Sequence, residues 1–111
     1  MKYDSKRIVD VIHDAIKAAQ DADPGPENDG GTCNFDCAYL RVPGMREAQF
    51  DKIASEFPAY TLSLNDSHWH GRMIQLLYSK GQAMRRTTMA EAAGKVFKES
   101  GLEWGMYYQM D

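Results

Sequence analysis

The chain has 111 residues, 43% hydrophobic and 26% charged, which is the make-up of one globular core and too little chain for two. Its 13 Lys and Arg face 16 Asp and Glu, a formal net charge of -3, so the basic excess of a protein that binds by neutralising phosphates is missing and nucleic acid is a disfavoured partner. No run of about 18 apolar residues occurs, which excludes a membrane-spanning helix.

The first residues, Met1-Lys2-Tyr3-Asp4-Ser5, pass directly into a charged amphipathic segment without an apolar core or cleavage site, so a cytoplasmic location is expected. Between Ser5 and Ala22, Ile8, Val11, Ile12, Ala15, Ile16 and Ala19 recur at helical spacing, and Arg7, Asp10, Asp14, Lys17 and Asp21 take the other side. Asp4 or Ser5 can cap this helix. His13, on its outer flank, reads as a surface residue. Residues 23–33 carry Pro24, Gly25, Pro26, Gly30 and Gly31, which end the helix and form the one long loop.

From Asn34 to Val42 the residues alternate, with Phe35, Cys37, Tyr39 and Arg41 on one side and Ala38, Leu40 and Val42 on the other, the pattern of a central strand. Pro43-Gly44 breaks it. Phe50, Ile53, Ala54 and Phe57 mark a helix from Met45 to Phe57, stopped by Pro58. Tyr60, Leu62 and Leu64 alternate with polar residues in a half-exposed edge strand. Asn65 to Gly71, with His68, Trp69 and His70, connects it to a third strand, Arg72 to Tyr78. Thr88-Met89-Ala90-Glu91 fits a capping box opening a second crossover helix, whose stripe is Met89, Ala92, Ala93, Val96 and Phe97. Leu102 to Gln109 is a last, aromatic-rich strand.

This order predicts an α+β fold, a ferredoxin-like split β-α-β-β-α-β antiparallel sheet with an extra N-terminal amphipathic helix. The domain reading is a single unit over 1–111: the helix 1–22, the Gly/Pro-rich loop 23–33 and the β-α-β-β-α-β unit 34–111. Such a sheet has the order 4-1-3-2, with both crossover helices on one face. The other face would carry Phe35, Cys37, Tyr39, Met73, Gln75, Leu77 and Tyr107. That much apolar surface needs a cover, expected to be the N-terminal helix or a second copy of the chain. An RNA platform using Phe35 and Tyr39 is the sharper alternative. The third strand lacks the glycine-aromatic motif such platforms carry, and the net charge opposes it.

Cys33 and Cys37 with His68 and His70 are an apt ligand set for zinc. The predicted topology puts Cys33 and the histidine turn at opposite ends of a strand, on the order of 25 Å apart at ~3.3 Å per residue, so no metal site is expected. In a reducing compartment the two thiols stay unpaired. Gly30, Gly31, Thr32 and Cys33 approach a strand rather than a helix N-terminus, so they are neither a Walker motif nor a dinucleotide fingerprint. Together with Lys80, Arg85 and Arg86 at the same end of the sheet, they form a candidate site for a small anionic ligand. Cys33 is the one plausible nucleophile, with no His placed beside it.

No motif names a catalytic residue, a cofactor or a family. The leading expectation is a small cytoplasmic interaction or regulatory module, not an enzyme, acting through a protein surface as a homodimer. The candidate surface is Phe35, Cys37, Tyr39, Met73 and Leu77. The alternatives are a binder or enzyme for an anionic ligand at the Gly30/Cys33/Arg85 end, and a single-stranded nucleic-acid binder.

Overall fold

Helix α1, Ser5–Ala22, has the bounds its periodicity predicts. The Asp4 carboxylate accepts from the Arg7 amide at 3.3 Å and caps the first turn, and Ile8, Ile12, Ala15, Ile16 and Ala19 form its buried stripe. The computed structural model describes residues 2–26, 36–77 and 83–108. The elements that follow are β1 (Cys37–Arg41), α2 (Glu47–Ala54), β2 (Leu62–Ser67), β3 (Gly71–Leu76), α3 (Ala83–Ser100) and β4 (Trp104–Tyr107).

The fold is α+β, three helices and a four-stranded antiparallel sheet in the order β2-β3-β1-β4. The register sets Leu40 opposite Ile74 and Trp104, with Leu64 opposite Ile74 from the far side. Because side chains alternate across a strand, this row and its neighbours Ala38, Val42 and Leu76 share one face. That face meets Ile8, Ile12, Ile53, Phe57, Ala93 and Phe97 in one continuous core.

α1 does not fold across the opposite face, as expected from the sequence, but lies with α2 and α3 on the core face, packed chiefly against α3. Two features make room for it. Small residues, Ala15 on α1 and Ala93 on α3, both in the shared core, allow close helix approach. α2 has only 8 residues, shorter than the predicted Met45–Phe57 segment, and leaves room for α1 beside α3. Arg7 then donates to the Ser100 carbonyl and ties the start of α1 to the end of α3.

The predicted capping box is also displaced. α3 begins at Ala83, so Thr88 and Glu91 lie inside the helix. Ala83, Met84, Arg85 and Arg86 are all good helix formers, and the helix extends back through them. Thr87 donates instead to the Asp36 carboxylate at 2.7 Å. The β2–β3 connection is tighter than predicted, because β2 runs on to Ser67 and Gly71, at φ +68, already belongs to β3. A positive φ is a conformation glycine adopts without strain.

Candidate functional site

The sheet has two ends, and the polar side chains behave differently at each. The first gathers the end of α1, the start of β1 and the first turns of α3. There Arg85 grips Asp23 in a two-pronged pair, Nε to Oδ1 at 2.8 Å and Nη2 to Oδ2 at 2.9 Å, with both side chains largely buried. Asp36 is 5% exposed and accepts from Thr87. Burial pushes the Cys37 thiol up from 9.0 to about 11, against a smaller lowering influence from Arg86. A thiol so placed is protonated at neutral pH and is a poor nucleophile.

Of the sequence-predicted anion site, Arg85 and Arg86 fall at this end, with Arg85 committed to Asp23. Gly30, Gly31, Thr32, Cys33 and Lys80 lie outside the described residues, as does Phe35. Of the predicted interaction surface, Cys37, Tyr39 and Met73 are already buried within the single chain, and Leu77 is half-buried. Tyr39 is 4% exposed, so its ring is not offered to a nucleobase. It crosses β4 at Gly105, where an added Cβ would fall 2.3 Å from its hydroxyl. An isolated glycine in a strand is a recognised sign of such an approach.

The second end is built by the N-terminal segment, the β1–α2 turn and the β2–β3 turn. Tyr3 donates its hydroxyl to the Pro43 carbonyl, and Gln49 Nε2 donates to the Tyr3 carbonyl at 2.8 Å and to Ser5 Oγ at 2.9 Å. The β2–β3 turn is held as firmly. Ser67 Oγ accepts from the amides of Trp69 and His70, Arg41 Nε donates to the His70 carbonyl at 3.2 Å, and the His70 ring lies 5.5 Å from that of Tyr39. His68 meets Trp69 edge-on at 5.2 Å. The two imidazoles thus serve different neighbours, and no group of three His, Cys, Asp or Glu able to hold a metal occurs among the described residues.

From this pinned turn Trp69 projects with 84% of its surface exposed. The sequence signal for it was present, since an indole among Asn, Asp, Ser and His in a turn has no core to enter. Exposed cations, Lys2, Arg46 and Lys52, stand at the same end around a groove of about 580 Å³. A second groove of about 280 Å³ lies on the other side of the N-terminal segment, between Ile8, Leu40 and Leu102. No sequence signal brings the N-terminal segment to the start of α2, because the hydrogen bonds that join them, Tyr3 to Pro43 and Gln49 to Tyr3, span 40 and 46 residues.

The chain matches no family model, no curated protein and no solved structure. No helix among the described residues is long and apolar enough to cross a membrane.

Proposed function

We propose that the chain is a non-enzymatic protein-interaction module of ferredoxin-like fold, acting in the cytoplasm, and that its recognition element is the β2–β3 turn. The fold reading is supported by the strand order, which from the β4 edge runs β4-β1-β3-β2. The functional reading rests on one observation, an indole 84% exposed on a turn whose backbone is fixed by Ser67, Arg41 and the Tyr39–His70 contact. Tryptophan is the residue most enriched among interface anchors, because it buries a large apolar area while losing little rotamer freedom. A turn already held in one shape loses little further freedom on binding. The burial of Cys37, Tyr39 and Met73 moves the contact surface from the sheet face to this turn.

The test replaces Trp69 with a photo-crosslinking amino acid in cells expressing the chain, with the same probe at exposed Lys17 as control, alongside sedimentation velocity of purified chain and Trp69→Ala. Adducts specific to position 69, or a dimer lost in Trp69→Ala, support the proposal. Matching adducts at both positions together with a monomer throughout overturn it.

A further inference from the structure

Groove residues from two distant parts of the chain meet at the N-terminal segment, and their charges have one sign. Lys2, Arg46 and Lys52 line the 580 Å³ groove, with Tyr3, Gly44 and Gln49 between them, and none of the described residues lining it is acidic. In a chain of net charge -3 this is a local reversal. Of the carboxylates adjacent in sequence to the groove cations, Glu47 beside Arg46 and Asp51 beside Lys52, neither lines the groove, and Glu47 pairs with Arg72 at 3.4 Å.

The backbone adds to the positive field. Arg46 stands at the N-cap of α2 in an extended conformation and gives no side-chain acceptor to the helix. The amides of Gln49 and Phe50 turn back to the Arg46 carbonyl, both at 3.1 Å. The first-turn amide of Ala48, a residue that lines the groove, is left for a ligand or water at the positive end of the helix. The walls do not need to be assembled on binding. Gln49 holds the N-terminal segment to α2, and Tyr3 and Lys2 both donate to the Pro43 carbonyl.

We propose that this groove binds a small molecule carrying a diphosphate or triphosphate group. Three cations match the charge of a diphosphate, and a volume of about 580 Å³ lies within the ~300–1,000 Å³ of small-molecule sites, more than a lone phosphate would fill. Arg46 is the residue suited to a two-pronged contact with phosphoryl oxygens, and Lys2 and Lys52 act as point charges. The site is separate from the Trp69 turn, so either proposal stands without the other.

The experiment is an amide-resolved NMR titration of the full chain with inorganic pyrophosphate and with ADP, against sodium chloride at matched ionic strength. Saturable shifts centred on Gly44, Glu47, Ala48 and Gln49 are expected, with the affinity falling roughly tenfold in Arg46→Ala and in Lys52→Ala. Lys98→Ala, on exposed α3 surface, should leave it unchanged. Shifts of equal size and place in chloride, or full affinity retained in both groove variants, would overturn the proposal. Unchanged amide spectra away from the substituted residues certify that the variants fold.

Discussion

At the α1–α3 end of the sheet, charge is used to close the molecule; at the turn end, charge is left facing water. Asp23 with Arg85, and Asp36 with Thr87, pair below the surface, whereas Lys2, Arg46 and Lys52 stand exposed around a groove and Trp69 stands exposed on its own turn. Side-chain hydrogen bonds tie described residues together at both ends, so their presence alone does not separate the two. The difference lies in where the remaining interaction capacity points. A buried pair has exchanged its hydration for its partner and has little left to offer a ligand. An exposed cation keeps most of its hydration and its capacity to pair with a ligand.

The sharpest way to break this contrast is to remove one partner of the buried pair. Asp23→Ala should lower the unfolding free energy by about 3 kcal/mol, read as a drop in the urea midpoint at constant slope, because the largely buried Arg85 guanidinium loses its two-pronged carboxylate contact. Adding Arg85→Met should recover part of the loss. A cost below about 0.5 kcal/mol for the single change would mean this end is not structural after all.

A pH series tests the same end without adding a new side chain. The Cys37 thiol, raised by burial from 9.0 to about 11, is protonated in both folded and unfolded chains well below pH 9, so it gives no pH dependence there. Between pH 9 and 11 the unfolded thiol ionises while the folded one holds its proton. The unfolded state then binds fewer protons, and stability falls as pH rises, by at most about 2.7 kcal/mol at ~1.36 kcal/mol per unit. Cys37→Ala should flatten that decline relative to the parent chain. Parallel curves for the two would show that the thiol is not held in a dry site.

Much of the architecture was legible because hydrophobic period is a local property. The bounds of α1 and the division of β1 into two rows followed from it directly. The landing place of α1 did not. An amphipathic stripe states that a helix has a buried side and leaves open which face of a sheet receives it. The capping-box reading at Thr88 failed because four good helix formers precede it and carry the helix past the signal. The Asp23–Arg85 pair joins residues 62 apart, a separation at which sequence spacing carries no information. The groove at the other end was invisible for the same reason, while Trp69 in its polar turn was in plain view.

The link between the sheet and the turn is probed by Gly105→Ala. Its Cβ would meet the Tyr39 ring at 2.3 to 2.7 Å, too close for either to remain, so the ring must shift from its place against His70. A destabilisation of about 1–3 kcal/mol is expected, with NMR shifts spreading to His70 and Trp69. Shifts confined to β1 and β4 would show that the turn holds its shape without Tyr39.

The smallest effect is expected where the exposed end is cut back hardest. Trp69→Ala removes the largest exposed side chain among the described residues, yet at 84% exposure the indole contributes little burial. Among the described residues its one ring contact is the edge-on meeting with His68. The unfolding free energy should change by no more than about 0.5 kcal/mol, in contrast to about 3 for Asp23→Ala. The Ser67 hydroxyl still accepts the amides of residues 69 and 70, because a backbone N–H survives the substitution, so the turn keeps its form. Acrylamide quenching supplies the check: the parent chain should lose its readily quenched fluorescence component in Trp69→Ala, leaving the half-buried Trp104. A drop in stability near that of the buried pair would mean that the indole packs on the fold, and the contrast between the two ends would collapse.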